Sequence, residues 1–407
     1  MEQTIGSNKI RLKNMNRSII LQLIRKRGPI TKADIASEAK LTFTTVNNIV
    51  DPLLKENLIY ETGYDTSSGG RKPVLLTINP NRYYAIGIHF SLSKMIAMVF
   101  NFKGEPVAEH AMTTNSNTSI EIIIDQIKQA IQTVFEKSKI KKSDLIGIGI
   151  AAPGPLDPIK GILFSPPNFK DWVSVPLKDI IQNHFGVPTF VEKDVNAMAF
   201  GEYLEVNNKK INNLLFIDLD IGIGSGIILN GQIYHGFPFG AGEIGHGTID
   251  IDGPRCNCGN YGCLEAVASG LAIVRRLGEE LRRGSQSQLK EKYLDSKETV
   301  TVLEIIQAAS MGDELARNLL DESARYVGIA TASVINMLKP EILIMGGILV
   351  NEYSHYLPQV KQIARSRVFT SFTEDIIITP SSFKEKAGVI GAGTFILEKY
   401  FQGNLEK

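Results

Sequence analysis

The segment Gly242–Glu265 contains the residue types whose spacing points most directly to chemistry. All three cysteines of this 407-residue chain, Cys256, Cys258 and Cys263, fall within eight positions, and His246 precedes the first of them by ten. Three thiolates and an imidazole form a complete ligand set for tetrahedral zinc. The segment therefore predicts a zinc site, with a disulfide or metal-free thiols as the alternatives.

Two carboxylates accompany this set without being needed for it. Glu243 lies three residues before His246, and Glu265 lies two residues after Cys263. Because four ligands already complete a structural zinc site, we expect the two glutamates to bind something other than the metal.

The composition is that of an α/β protein with two or three domains, since domains usually contain about 100–200 residues. Hydrophobic residues make up 43% of the chain, which also contains 36 glycines. The amino terminus lacks the apolar stretch of a signal peptide, and no run reaches the roughly 20 apolar residues of a membrane helix. Three clustered cysteines do not make a disulfide framework, so we expect a cytoplasmic protein with no membrane partner.

The first 80 residues are more basic than the rest, with twelve Lys and Arg against seven Asp and Glu, in a chain of net charge +1. Apolar spacing predicts a helix over Asn16–Arg27, and Thr31 and Asp34 resemble a capping box that opens a second helix. A third helix is predicted to begin at Leu41-Thr42. Two strand-like segments, Leu58–Thr62 and Val74–Ile78, then flank a basic, glycine-containing tip.

Three helices and a basic hairpin indicate a winged helix-turn-helix that binds DNA. Short polar side chains on the third helix suit base edges or phosphates, and the cations of the hairpin tip suit a minor groove or phosphates. Phe43 is either a contact to a thymine methyl group or part of the core. A small helical protein-interaction domain is the alternative for this region. The residues expected to contact DNA are Thr42, Thr44, Thr45, Asn47, Asn48, Arg71 and Lys72.

The body contains an internal repeat. The segments that begin at Tyr84 and at Leu214 share one plan: a strand, a polar turn, a second strand, a tight turn and a third strand, with helical stretches afterwards at Ile120–Phe135 and Leu271–Arg283. This duplication predicts two similar α/β lobes with a ligand cleft between them.

The motifs of the body resemble those of the ROK family of repressors, open reading frames and sugar kinases, over about residues 82–400. They are Ala152–Pro155, Pro167-Asn168, Glu192–Asn196, Gly222–Gly226, Gly242–His246, Cys256–Glu265, Gly346-Gly347 and Gly388–Gly393. The resemblance implies an actin/hexokinase-like, ribonuclease H-like fold with two lobes. A fused winged helix is typical of the family's transcriptional regulators of the xylose-repressor and N-acetylglucosamine-repressor type.

The resemblance also implies site residues. Zinc would be bound by His246, Cys256, Cys258 and Cys263, in agreement with the ligand set found from spacing. The sugar-contacting positions carry over as Asn168, Asp194, Glu243, His246 and Glu265. Such groups suit paired hydroxyls; ordinary capping and surface carboxylates are the alternative.

One position departs from the family pattern, because Lys193 precedes Asp194 where Asn is common. Lys193 would either contact an acidic or phosphorylated sugar or form an ion pair with Glu192 or Asp194, and we favour the ion pair.

The phosphate-binding turn of the family's kinases, Asp-x-Gly-x-Thr, is altered in this chain to His89-Phe90-Ser91-Leu92-Ser93. Loss of the acidic residue and of the glycine removes metal-assisted binding of ATP phosphates. Asp194 then occupies the position of the kinase's general base without a catalytic role, and no catalytic residue is expected.

The sequence therefore predicts a sugar-responsive repressor of a carbohydrate-utilisation operon. We expect a DNA-binding domain at 1–80, a first lobe at 81–196 onto which a helix at about 385–407 packs, and a second lobe with the zinc site at 197–384. Its expected partners are a pseudo-palindromic operator, a sugar or sugar-phosphate inducer and further copies of the chain in a homodimer or homotetramer. An active ROK sugar kinase with a DNA-binding head is the alternative.

Overall fold

The computed structural model describes residues 3–64, 72–114, 119–165, 172–206, 211–295, 300–372 and 376–405. Arg71 and Asn168, for which binding roles are expected, lie outside these ranges. The chain forms two compact units. The first consists of Met1–Ile150, Pro176–Val191 and Ala392–Lys407, and the second of Ala151–Val175 and Glu192–Gly391. The three-part division expected from sequence stays a prediction.

The amino-terminal head combines three helices with a small sheet. Its elements are α1 (Gln3–Arg27), β1 (Ile30–Thr31), α2 (Lys32–Ala39), α3 (Phe43–Lys55), β2 (Ile59–Tyr64) and β3 (Val74–Ile78). The strands pair in the order β1-β3-β2. The apolar face of α3 is buried through Val46, Ile49, Val50 and Leu53, as its helical spacing predicts.

Side-chain caps define where the short helices of the head begin. The Thr31 hydroxyl accepts a hydrogen bond from the Asp34 N–H at 3.1 Å, and the Thr42 hydroxyl accepts one from the Thr45 N–H at 3.2 Å. Each cap satisfies a backbone donor that the first helical turn leaves unpaired. In contrast, α1 begins well before Asn16, where the apolar spacing starts.

The next elements are the strands of a five-stranded sheet, the helices between them and a separate pair of short strands. They are β4 (Tyr84–Phe90), β5 (Lys94–Asn101), β6 (Pro106–Thr113), α4 (Ile120–Ser138), β7 (Leu145–Ala152), β8 (Leu156–Asp157), β9 (Ile162–Leu163), α5 (Leu177–Phe185) and β10 (Thr189–Lys193). The sheet order is β10-β7-β4-β5-β6, while β8 and β9 form a separate antiparallel pair.

The rest of the chain contains a second five-stranded sheet with the same strand plan, together with its helices. The elements are α6 (Asp194–Val206), β11 (Leu214–Leu219), β12 (Ile223–Leu229), β13 (Gln232–Ile233), α7 (Leu264–Ala268), α8 (Gly270–Arg282), α9 (Lys290–Asp295), α10 (Val302–Ser310), α11 (Glu314–Leu338), β14 (Ile342–Gly346), α12 (Ile348–Glu352), α13 (Tyr356–Arg365), β15 (Ile377–Pro380) and α14 (Ala387–Phe401). The order β13-β12-β11-β14-β15 matches β6-β5-β4-β7-β10. The α/β fold class and the internal repeat are therefore confirmed.

Within the first unit, the head contacts the end of the chain through Arg25 at the end of α1. Its guanidinium lies 2.7 Å from the Glu398 carboxylate and 4.4 Å from the centre of the Phe401 ring. Phe401 also stacks on Phe102, with ring centres 4.7 Å apart. The head and the last turns of α14 thus share one aromatic and ionic contact region. No described helix is both long and apolar enough to cross a bilayer.

Candidate functional site

The four residues expected to bind zinc lie together. The ligand atoms of His246, Cys256, Cys258 and Cys263 are all within 4.8 Å of one another. Cys258 Sγ lies 3.7 Å from Cys263 Sγ, and Cys256 Sγ lies 3.7 Å from His246 Nδ1. Tetrahedral bonds of about 2.0–2.3 Å place neighbouring ligand atoms about 3.5–3.8 Å apart. The three cysteines are free thiols, so the geometry fits a metal and contains no disulfide.

Glycine allows the loop that carries the cysteines to fold tightly. Gly262 has a φ of +63°, and a Cβ there would lie 1.6 Å from the Asp250 carbonyl oxygen. The next residue, Cys263, is the N-cap of α7. Burial raises the pKa of the Cys263 thiol to about 12, and a metal ion bound there would release its proton.

Glu243 lies between the Cys3His cluster and Lys193. Its Oε1 is 2.6 Å from Lys193 Nζ, and its Oε2 is 4.0 Å from His246 Nε2. The expectation that Lys193 pairs with Glu192 or Asp194 is therefore wrong in its choice of partner. The extended backbone of β10 directs neighbouring side chains to opposite faces, and the Lys193 ammonium reaches a glutamate 50 residues away.

Asp194 is the first residue of α6 and lies next to this ion pair. Burial raises the pKa of its carboxyl to about 6, and the charge of Glu243 adds to the rise. Lys193 and the Val195 N–H, which donates to Oδ1 at 2.7 Å, act in the opposite direction. The carboxyl therefore changes its charge close to neutral pH.

Glu265 is half-buried and contacts a different part of the second unit. Its Oε2 accepts a hydrogen bond from the Ile223 N–H at 3.1 Å and lies beside Gly222. Among the described residues, no hydrogen bond or ion pair joins Glu265 to Asp194, Glu243 or His246. Asn168 lies outside the described residues.

The first kinase-like turn begins with a buried histidine. The Nε2 atom of His89 has no hydrogen-bond partner in the described ranges, and burial lowers its pKa to about 4. A neutral imidazole cannot supply the negative charge that holds a metal ion beside ATP phosphates.

The second turn carries two aspartates whose importance sequence reasoning missed. Burial raises the pKa of Asp218 well above its ordinary range, and the charges of Asp220 and Asp194 raise it further. Asp220 accepts hydrogen bonds from the N–H groups of Ile221 and Ile348. Backbone donors near the glycine turn are thus occupied by the Asp220 carboxyl group and are not available to a phosphate. The signal was the pair of aspartates four and two residues before Gly222.

Three further polar residues form a network beside this site. Glu192 is buried, and its Oε2 lies 2.8 Å from His235 Nε2. Its Oε1 accepts from Asn196 Nδ2 at 2.9 Å and from the Lys193 N–H at 3.0 Å. Glu192 and Asn196 fall within a motif seen in the sequence, but nothing in the sequence distinguished His235.

The side chains expected to contact DNA differ in their exposure and in the contacts that they form within the head. Thr44, Asn48 and Lys72 are exposed, and Asn47 is half-buried. The hydroxyls of Thr42 and Thr45 contact each other at 2.8 Å within the cap of α3. Phe43 is 53% exposed, so of its two expected roles the core position is excluded.

The duplicated five-stranded sheet and the clustered Cys3His set define an α/β protein of the actin/hexokinase-like class. The helical head that precedes them is of a kind that binds DNA. The ROK family model matches residues 85–399. The chain belongs to the ROK family.

Relatives and solved structures resemble the chain over different lengths. The xylose repressor of Bacillus spizizenii is 32% identical over 392 residues, which is 96% of each chain. The DNA-binding transcriptional dual regulator NagC of Escherichia coli is 27% identical over 390 residues, 95% of this chain and 93% of its own. A ROK family transcriptional regulator, a homologue of the E. coli MLC protein, superimposes with a TM-score of 0.82 at 27% identity over 96% of this chain and 97% of its own.

A kinase structure resembles only part of the chain. The ROK family glucokinase of Streptomyces griseus, solved with glucose and AMPPNP, has a TM-score of 0.66 and 28% identity. The match covers 77% of this chain and 98% of the kinase.

Proposed function

We propose that the chain is a sugar-responsive DNA-binding repressor of a carbohydrate-utilisation operon. The observation that carries this proposal is the extent of the similarity. Repressors match this chain over nearly its whole length. The glucokinase aligns over almost all of its own length, but with only 77% of this chain. The kinase therefore lacks a counterpart for the remaining residues of this chain. Most of these residues belong to the head, because the family model begins at residue 85.

In this proposal the head is a winged helix-turn-helix that places α3 in the major groove. Thr44 and Asn48 are exposed on α3, and their side chains have the donors and acceptors that meet base edges. Arg71 and Lys72 would contact phosphates or the minor groove. A symmetric homodimer or homotetramer would bind a pseudo-palindromic operator whose half-sites are about 34–36 Å apart, or a multiple of this spacing. In this proposal the protein acts in the cytoplasm, where its operator DNA is found.

The proposed sugar site lies in the second unit, where Glu243 lies near both Asp194 and His246. Carboxylates and an imidazole form directional hydrogen bonds with sugar hydroxyls. Asn168 and Glu265 are the further proposed contacts, and Glu265 would act from its position beside the Gly222 turn.

One zinc ion per chain is proposed at His246, Cys256, Cys258 and Cys263, since the free thiols and the distances between ligand atoms fit it. The ion would fix the loop before α7 and orient the His246 ring through Nδ1. The Nε2 atom, on the side of Glu243, would remain for hydrogen bonding.

The alternative function, an active sugar kinase, is disfavoured at both phosphate turns. The first turn has a neutral, buried His89 in place of an acidic residue. The second has Asp218 and Asp220 where ATP phosphates would need donors. Phosphoryl transfer depends on positioning and on neutralising negative charge, and neither a neutral imidazole nor a carboxyl group supplies the positive charge that this requires.

The test uses the full-length protein and an operator selected by it from random duplex DNA. We expect a pseudo-palindromic site, and a sugar that weakens binding at least about tenfold. Incubation with ATP and the same sugar should release no ADP. Sugar-dependent ADP formation that Asp194→Asn abolishes would instead establish the kinase, and DNA binding that no sugar alters would contradict a sugar-responsive repressor.

A further inference from the structure

A cavity of about 330 Å³ lies in the second unit, next to the proposed sugar contacts. Glu243 and Lys193 belong to its lining, whereas Asp194, His246 and Glu265 do not. Small-molecule sites usually have volumes of about 300–1,000 Å³, so this cavity is large enough for about one ring. A sugar ring held by Asp194 and His246 would therefore leave this space for another group.

The walls of the cavity are mainly apolar. The rings of Phe164 and Phe239 and three prolines contribute to the lining. Flat apolar surfaces of this kind suit the C–H face of a sugar ring, which is buried without losing hydrogen bonds.

The charges around the cavity exclude an anionic group. Its lining contains the carboxylates of Asp157, Glu192 and Glu243 against the single ammonium of Lys193. Lys193 Nζ is 2.6 Å from Glu243, and His235 Nε2 is 2.8 Å from Glu192. A phosphate would have to break one of these pairs and approach the carboxylates that remain, which is unfavourable.

One residue of the lining has a buried acceptor without a partner among the described residues. Asn196 lines the cavity, is 5% exposed, and donates from Nδ2 to Glu192 Oε1. Because a carboxylate only accepts, this bond fixes which end of the amide is Oδ1. In the described part of the chain Oδ1 has no hydrogen-bond partner. Buried polar atoms are normally paired, so this oxygen suits a hydroxyl donor.

We propose that this cavity is a subsite for a second, neutral sugar ring, and that the ligand of the protein is an unphosphorylated disaccharide. The first ring contacts Asp194, Glu243 and His246. The second lies against Phe164 and Phe239 and donates a hydroxyl hydrogen bond to Asn196. This inference rests on the proposed sugar-responsive function and narrows its ligand class.

The test measures binding to the full-length protein by calorimetry and by the rise in melting temperature. The probes are glucose, xylose and N-acetylglucosamine, the 6-phosphates of the two hexoses, and the β-1,4-linked disaccharides of all three sugars. One disaccharide should bind at least about tenfold more tightly than its monosaccharide. The sugar phosphates should bind no more tightly than the free sugars.

Two phenylalanines of one loop provide a matched pair of variants. Phe239 lines the cavity, whereas Phe237 is fully exposed and does not. Phe239→Ala should weaken disaccharide binding about tenfold and change monosaccharide binding less than twofold. Phe237→Ala should change neither.

The outcomes separate the inference from the function on which it rests. If monosaccharides bind as tightly as disaccharides and Phe239→Ala alters neither, the second-ring subsite is wrong while the sugar-responsive function stands. A sugar phosphate as the tightest ligand overturns the assignment of a neutral ligand. If no saccharide of any class binds or affects operator release, the proposed function itself fails.

Discussion

His246 is the residue at which the proposed metal and sugar roles meet. Its Nδ1 faces Cys256 Sγ at 3.7 Å, and its Nε2 faces Glu243 Oε2 at 4.0 Å. A metal bound at Nδ1 leaves the proton on Nε2. That nitrogen can then donate to Glu243 or to a ligand hydroxyl, so both roles that the sequence assigns to His246 are compatible with one ring orientation.

Asp194 should make the stability of the protein depend on pH. Its pKa is raised from 3.8 to about 6, so the ionised carboxyl destabilises the fold, and stability falls as pH rises from about 4 through about 6. Asp194→Asn should therefore raise the free energy of unfolding by about 3 kcal/mol at pH 7 and have little effect below pH 4. Urea denaturation at both pH values measures this difference; an equal effect at both would contradict it.

The same substitution should weaken sugar binding. A carboxylate accepts hydroxyl hydrogen bonds more strongly than an amide, so we expect a loss of about 10- to 100-fold at pH 7. For the unsubstituted protein, affinity should increase from pH 5 to pH 7 as Asp194 ionises. Calorimetry across this range checks both results, and Asp194→Asn should flatten the profile.

Cys258 tests the proposed metal site with little disturbance of packing, because its side chain is exposed. Cys258→Ser should reduce the zinc content from about one per chain and lower the melting temperature, since metal binding contributes to folding. Tyr261→Phe, in the same loop and outside the ligand set, is the control and should keep the metal. Metal analysis and thermal denaturation, each with and without a chelator, are the measurements. Full zinc content in the serine variant would exclude Cys258 as a ligand.

At the scale of elements, short-range patterns predicted most of the fold. The cap at Thr31 and the start of the third helix at Leu41-Thr42 were visible because a cap and its helix are neighbours in sequence. The start of α1 was missed, because the turns before Asn16 lack an apolar stripe. The repeat was visible because each copy is a contiguous set of strands and turns, and the order of the two sheets confirms it.

The α3 helix separates reading residues from capping residues. Asn48→Ala should weaken specific operator binding by about 10- to 100-fold and leave protein stability nearly unchanged, because the side chain is exposed. Thr42→Ala should instead cost about 1 kcal/mol of stability through loss of the cap. Fluorescence anisotropy with operator and with unrelated DNA, together with urea denaturation, distinguishes the two. An unchanged operator affinity for Asn48→Ala would remove this residue from the proposed reading face.

At the scale of the whole molecule, the function requires sugar binding to change the affinity for DNA. A complete switch, from 1:99 to 99:1, needs about 5.5 kcal/mol of difference in sugar binding between the two states. Several charge-assisted hydrogen bonds at about 1.5–3 kcal/mol each have the right total magnitude. A smaller difference would give graded control.

Glu265→Gln should affect this coupling and not DNA binding itself. The amide oxygen still accepts from the Ile223 N–H, so the fold is retained while the charge beside the Gly222 turn is lost. We expect operator affinity without sugar to stay within twofold, and the sugar concentration for half-release to rise about tenfold. Titrating sugar into the operator complex measures both values; normal release would remove Glu265 from the proposed site.

The sequence by itself determined the grouping of three cysteines with a histidine, the duplicated sheet and the altered first phosphate turn, since each depends on residues close together in the chain. Only the tertiary structure decided that Lys193 pairs with Glu243, that Glu192 contacts His235, and that Asn196 lines a cavity. These contacts join β10 and α6 to a loop about 40–50 residues later. Which side chains meet there depends on how the backbone brings distant segments together, and the spacing of residues along the chain does not specify this.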